Sequence, residues 1–331
     1  MGLRFANSHT YSVERRHNNY LLFILIILQL LIQLTLFTTD WRPDEYKSIQ
    51  FFSNIIFQSP SITISQEIFM RVLLFTLNLS IVWFFYSLEL IKGKTVAFAL
   101  IWPMTIFLFS KIYWEFFVFP FYLVRHDLSK LSEILFIGFL LAVLSLTGEG
   151  NLIVLILFRL VLLGINFGYK LLAPLFIAIS GVVINQFFNV MDFGGGNILV
   201  EALQRFQWTR DTVNPEYSIF ETIGVFISSM HFFTLHTNFW ILDFIFSICV
   251  LLVLVSQKEF KKNVKIFKYE ILAVFSVILA ATEVTHAFQN ARYYYMFIPL
   301  LSVMTPFYLY PLIATLGILH VVFKLIEIFF V

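Results

Sequence analysis

Apolar runs close to twenty residues long recur from Tyr20 to the C-terminus, separated by short polar breaks. At roughly 1.5 Å of rise per residue, runs of that length match a hydrocarbon layer about 30 Å thick. The breaks place crossings at 20–37, 68–91, 95–109, 112–124, 131–147, 152–169, 171–187, 239–256, 269–284, 293–310 and 312–330. The 112–124 run is short, and Pro311 marks either a tight turn or a kink, so ten and eleven spans both remain open. The pattern predicts an all-α, polytopic integral membrane protein, with residues 1–331 forming a single membrane domain. No internal repeat, low-complexity segment or flexible linker interrupts it.

Composition reinforces that expectation. Sixty per cent of the residues are hydrophobic, 42 are Phe, and the mean hydropathy is +0.86. A net charge of +2 argues against nucleic acid as a partner. The single Cys249 excludes both a disulfide framework and a Cys-based metal site. Residues 1–19 are polar, and the run that follows is too long for a signal core and has no small-residue cleavage site, so Tyr20–Phe37 is expected as a retained first helix.

Charge orients the crossings. With Arg4, Arg15 and Arg16 in a cytoplasmic N-terminus, the inward loops hold Lys92 and Lys94, Arg125 and Lys130, Lys170, and the run Lys258, Lys261, Lys262, Lys265, Lys268. That assignment is positive-inside throughout. The outward segments become 38–67, 110–111, 148–151, 188–238 and 285–292. In the long outward loop 188–238, Ile198, Leu199, Ala202, Leu203 and Phe206 recur at helical spacing, predicting a helix in the membrane interface over Ile198–Trp208. Gly194–Gly196 precedes it, and Phe220–Phe233 is apolar enough for a second interfacial or re-entrant piece.

The two faces differ in the kind of positive charge. Inward loops carry nine Lys to four Arg; the outward half carries Arg42, Arg71, Arg159, Arg205, Arg210 and Arg292 but only Lys47 and Lys111. Arginine's planar fork grips phosphate or carboxylate bidentately, while lysine is a hydrated point charge. Arg71 and Arg159 fall inside crossings, where an ionisable group usually faces the bundle interior or an aqueous cavity. An outward Arg-lined cavity suits a lipid-linked phosphate or pyrophosphate. The competing account is local pairing: Arg42 with Asp40 or Asp44, Arg210 with Asp211, and Arg71 with Glu67 at i−4. The nearest acids in sequence to Arg159 and Arg292, Glu149 and Glu283, are too distant for local helical pairing.

Several polar clusters can carry chemistry. His286, Asn290, Arg292 and Tyr293–Tyr295 form the densest one at a span start: His286 can take a proton near neutral pH, Arg292 can hold phosphate, and Tyr293 and Tyr294 can stack on a sugar. An interfacial aromatic belt is the plainer account of the same residues. Asp40, Asp44 and Glu45 surround Trp41 and Arg42 after the first crossing, as a catalytic base or as a solvated loop; their spacing does not demand a metal. Lys111 and Glu115 sit one helical turn apart, either as a structural pair or as part of the site. His231, His236, Asp243 and Glu149 are secondary candidates. Walker loops, dinucleotide fingerprints, nucleophile elbows and HExxH are absent from the sequence, so no soluble cofactor and no metal are expected.

Taken together, TDWRPDEYKSIQFF after the first crossing, SKIYWE at a later junction, the intramembrane Arg159, the long Arg-bearing outward loop and the late NARYY segment resemble the bacterial O-antigen polymerases (Wzy-like) and the related EpsG-type exopolysaccharide proteins. The resemblance implies a helical bundle like that of the GT-C glycosyltransferases, in the bacterial inner membrane, with its active site facing the periplasm. It implies inverting transfer of a growing glycan from undecaprenyl pyrophosphate onto a lipid-linked repeat unit, with no cofactor and with a chain-length regulator protein as a further partner. Carried onto this chain, Arg292, Arg205 and Arg159 would hold pyrophosphate, alongside Arg210, Arg71, Lys111, Tyr293 and Tyr294. His286 would be the base, with Asp44 its rival and Glu45 beside it. Two other functions fit parts of the pattern. A GT-C-type glycosyltransferase using a polyprenyl-phosphate sugar would place an acid in the first outward loop, as PDEYKSIQ does. A lipid-linked glycan flippase would be expected to show internal repeats or paired broken helices.

Overall fold

Thr63 sets the start of the first long helix. Its hydroxyl oxygen accepts from the Gln66 amide at 3.4 Å while its own amide donates to the Gln66 side chain at 2.9 Å, a reciprocal cap. Helix α1 then runs Ile64–Ser87 and ends where Glu89 takes a positive φ of 57° and the Leu90 amide turns back to the Phe85 carbonyl. The helix therefore begins and ends four residues earlier than the 68–91 expected, which brings Glu67 into its first turn. Polar side chains within it bond to its own carbonyls: Thr76 to Val72 at 2.8 Å, Asn78 to Leu74 at 3.3 Å, Ser80 to Thr76 at 2.8 Å.

The computed structural model describes residues 24, 27, 53–58, 63–101, 115–147, 151–188, 240–285, 296–316 and 319. Every regular element among them is helical. The elements after α1 are α2 (Gly93–Ile101), α3 (Glu115–Tyr122), α4 (Lys130–Thr147), α5 (Asn151–Asn166), α6 (Leu172–Phe188), α7 (Trp240–Ser256), α8 (Lys258–Ile266), α9 (Lys268–Thr285) and α10 (Ile298–Met304), then a 3-10 turn at Phe307–Leu309. Packing divides the chain into two units, one comprising Met1–Pro120 with Tyr308–Val331, the other Phe121–Phe307. In the first, α2 is buried along nearly its whole length, and Tyr310 packs edge-on against Phe98 at 5.3 Å and donates to the Lys94 carbonyl at 3.4 Å.

The second unit is built on helix directions that its contacts fix. Asn166, ending α5, donates to the carbonyl of Leu128, just ahead of α4, so α4 and α5 are antiparallel. Gly168, with φ of 100°, turns the chain from α5 into α6, and Gly164 lies against Ala173 across that turn. Helices α6 and α9, the most extensively packed pair among the described residues, run parallel: Lys170 ahead of α6 lies by Tyr269 at the start of α9, and Gly181 farther along meets Ala280 farther along. A Cβ on Gly181 would overlap the Ala280 backbone. The starts of α4, α6 and α9 and the end of α5 thus share one pole. The ends of α4, α6 and α9 and the start of α5 share the other.

Five expected crossings coincide with α4, α5, α6, α7 and α9 to within a few residues. Others differ. The 95–109 run is described as helix only through Ile101, and the helix within 112–124 holds Pro120 and stops at Tyr122. The 293–310 run is broken at Thr305, which is extended (φ −83°, ψ 124°) because Pro306 disfavours a helical residue before it. Pro311, expected to mark a turn or kink between spans, instead lies within a helical stretch over 310–316. The Lys-rich segment expected as an inward loop is itself helical, as α8. Among the described residues, Ser65–Ser87 alone has the length and composition of an unbroken crossing, and α5 and α6 contribute shorter apolar helices. The 20–37 run (beyond Ile24 and Ile27), the 312–330 run past 316 (beyond Leu319), and the segments Ile198–Trp208 and Phe220–Phe233 lie outside the described residues.

Replacing Gly181 with Val should destabilise the second unit by about 1–3 kcal/mol, since the added carbons meet backbone rather than a movable side chain. Thermal unfolding of the detergent-solubilised chain checks this; Gly138→Val, where a Cβ meets nothing within 4 Å, should shift the midpoint far less.

Candidate functional site

Arg159 is the largest fully buried side chain of the described residues, at 1% exposure, near the middle of α5. Its fork faces inward. Nη1 donates to the Arg125 carbonyl at 2.8 Å and Nη2 to the Val124 carbonyl at 2.5 Å, while Glu133 of α4 lies 3.5 Å from Nη1 and is itself fully buried. The Phe136 ring lies beneath the guanidinium at 5.0 Å, a cation–π contact. No hydrogen-bond donor among the described residues reaches either Glu133 oxygen, so the carboxylate is held by charge rather than by direct bonds. The two carbonyls belong to the chain leaving α3, where no helical partner takes them. Arg159 therefore closes the end of α3, the turn after it and the start of α4 into one structure.

That placement differs from the expected role in gripping an outward pyrophosphate. The Val124–Arg125 turn belongs to the Lys-bearing pole, where Arg125 pairs with Asp127 at 2.6 Å and Lys130 lies over the Phe167 ring at 4.5 Å. Both terminal nitrogens of Arg159 donate to carbonyls, and at 1% exposure its fork is enclosed by protein. Arg71 takes the local alternative: Nε and Nη2 donate to one oxygen of Glu67 at 3.0 and 2.8 Å, across one turn of α1. Of the residues expected to catalyse or to hold substrate, only these two fall within the described part of the chain, and they lie in separate units; Glu115, the expected partner of Lys111, begins α3. Asp44, Glu45, Lys111, Arg205, Arg210, His286, Arg292, Tyr293 and Tyr294 lie outside the described residues, as do Arg42, Glu149, His231 and His236. Asp243 falls on α7.

No family model, no curated protein and no solved structure matches this chain. Its site is therefore argued from its own residues. Chain order is informative there. The described part of α6 ends at Phe188, and the segment with Arg205 and Arg210 follows; α9 ends at Thr285, and His286, Arg292, Tyr293 and Tyr294 follow. Because α6 and α9 are parallel, both segments leave from the pole opposite the lysines. Among the described residues, no three His, Cys, Asp or Glu side chains gather where they could hold a metal ion.

Glu133 is the residue that sequence reasoning missed. The signal was available: two opposite charges, each alone in an apolar run, on consecutive helices joined by only Gly148–Gly150. In such a hairpin each charge needs the other, whatever their separation in sequence.

Arg159→Ala should cost about 3–5 kcal/mol, as expected when one partner of a buried pair is removed, and it additionally strands the two carbonyls. The double change Arg159→Met with Glu133→Leu should cost less than the two single changes added together, because it leaves no charge uncompensated. Unfolding midpoints of the four proteins in detergent measure the coupling. Additive losses would show that the pair is not a unit.

Proposed function

We propose that this chain is a polytopic inner-membrane glycosyltransferase of the polysaccharide-polymerase type, moving a polyprenyl-pyrophosphate-linked glycan onto a lipid-linked repeat unit at the periplasmic face. One observation carries the proposal. Parallel packing of α6 and α9 makes the chain segments that carry Arg205 and Arg210, and His286, Arg292, Tyr293 and Tyr294, follow from one pole of the second unit, while Lys130, Lys170 and Lys268 stand at the other. That is the polarity required of an enzyme whose anionic substrates arrive from the membrane on one side only.

The exterior supports a lipid setting. Helices α1, α4 and α6 leave large apolar side chains uncovered: Trp83 at 71% exposure, Leu146 at 81%, Phe176 at 70%, with Leu172, Leu175, Ile179 and Val183 continuing the α6 face. Soluble monomers rarely show apolar patches of that extent. Hydroxyls on these helices bond to carbonyls of their own helix, Ser145 to Leu141 at 2.8 Å and Ser180 to Phe176 at 2.7 Å, as a medium without water demands.

In this mechanism His286, or Asp44 in its place, removes the proton from the acceptor sugar hydroxyl. The freed oxygen attacks the anomeric carbon of the donor from the face opposite the pyrophosphate, and the carbon–oxygen bond to pyrophosphate breaks with inversion. Negative charge grows on the leaving group, which is also the part that stays anchored in lipid. Arg292, Arg205 and Arg210 neutralise that charge; Arg159 and Arg71 serve the scaffold.

In a strain lacking its surface-polysaccharide polymerase, the wild-type chain should restore a ladder of lipid-linked glycans on a gel. Arg292→Lys should collapse the ladder to a single repeat unit at equal protein level, a loss of about 10²-fold or more, comparable to removing a transition-state charge contact. His286→Ala should act in the same direction. A repeat unit lacking one sugar would instead indicate the polyprenyl-phosphate glycosyltransferase, and failure of any repeat unit to reach the outer face would indicate a flippase.

A further inference from the structure

Helix α8 (Lys258–Ile266) carries Lys258, Lys261, Lys262 and Lys265 at i, i+3, i+4 and i+7, a single stripe along one face. The helix is held by its other side. Phe260 is buried, and Asn263 Nδ2 donates to the Met304 carbonyl at 3.1 Å, so the four exposed ammonium groups are turned away from the protein. Like charges at these spacings destabilise a helix, and no carboxylate among the described residues forms an ion pair with any of the four. A second basic pair stands at the same pole. Lys170 and Lys268 both lie over the ring of Tyr269, at 5.5 and 4.8 Å, which keeps their charges within roughly one Debye length of each other. Both arrangements gain from an anion that the described residues do not supply.

The surroundings say what kind. Exposed apolar side chains are interleaved with these lysines: Ile266 directly follows Lys265, and Tyr169 and Leu171 flank Lys170. A nucleic acid or an acidic peptide would meet the lysines and leave Ile266, Leu171 and Tyr169 in water. A phospholipid meets both, with phosphate at the ammonium groups and glycerol and acyl carbon against the aliphatic and aromatic chains. We propose that α8 and the Lys170–Tyr269–Lys268 pair form a binding surface for anionic phospholipid headgroups, with α8 lying flat at the membrane surface. The proposal rests on the membrane reading above but not on the polymerase activity.

The full-length chain would be reconstituted in bilayers of phosphatidylcholine with an equal part of phosphatidylglycerol, re-extracted, and its retained lipids counted by native mass spectrometry. Wild type should retain phosphatidylglycerol over phosphatidylcholine by about fivefold or more, and the preference should fall as sodium chloride is raised. A variant with Lys258, Lys261, Lys262 and Lys265 all changed to Gln should lose most of the preference at unchanged helical content by circular dichroism, and the corresponding all-Arg variant should keep it. Equal retention of the two lipids by wild type, or an undiminished preference in the Gln variant, overturns the proposal while leaving the membrane reading intact. A preference abolished by inorganic phosphate but not by chloride at equal ionic strength overturns it in favour of a soluble anion. Release of wild type from the vesicles by alkaline carbonate overturns both.

Discussion

The close parallel approach of α6 and α9 at Gly181 and Ala280 is the constraint from which the second unit follows. Parallel neighbours cannot be joined by a short turn. After α6 the chain has to return to the starting pole before α9 can begin, and α7 followed by α8 lies between them in sequence. The direction of one helix pair thereby decides which segments are neighbours at each end. A bulkier residue at Gly181 would force the backbones apart along the contact that sets this order, so the absence of one side chain governs where many others can be.

Arg159 does for the other half of this unit what Gly181 does for α6 and α9. The chain leaving α3 turns its Val124 and Arg125 carbonyls to Arg159, and Val124 is fully buried there. A guanidinium satisfies two carbonyls in one plane and still presents a charge to Glu133; a neutral donor lacks the charge, and a lysine lacks the rigid planar fork that fixes the two bonds in orientation. The ion pair alone is a weak source of stability, because both groups are desolvated. Its value lies in geometry: it fixes the turn that aims α4 against α5.

The contrast between Arg71 and Arg159 shows what was legible in the sequence. Glu67 lies one turn from Arg71, so helical periodicity alone names the partner, and the structure supplies it. Glu133 lies beyond the reach of any local rule, and the carbonyls that Arg159 reaches are 34 and 35 residues away in sequence. Helix positions were readable wherever apolar runs were uniform, as in α4, α5, α6, α7 and α9. They were misjudged where one residue overrode the run: Thr63 and Glu89 shifted α1, and Pro306 broke the helix ahead of Pro311 rather than at it. Hydropathy averages over such residues, whereas caps, positive φ and missing amides act at single positions. The candidate catalytic segment was legible only as composition, in the density of His, Arg and Tyr after α9.

Lysine and arginine suit different tasks for reasons that follow from their chemistry. A compact ammonium on a flexible stem remains hydrated while its carbons rest on apolar surface, so lysines can crowd a headgroup region with exposed Ile266, Leu171 and Tyr169 between them. A guanidinium loses less on leaving water and fixes two oxygens in a plane, which suits places where an oxygen pair must be held in one orientation. Within the described residues that oxygen pair is the carbonyls of Val124 and Arg125. The same physics underlies the proposal that Arg292, Arg205 and Arg210 meet a pyrophosphate: a leaving group that gains charge as its bond breaks needs donors held in one orientation. Lysines spread along α8 suit a fluid layer of headgroups that exchange. On this view the two residue types divide labour between a surface that tolerates many anions and a site built for one.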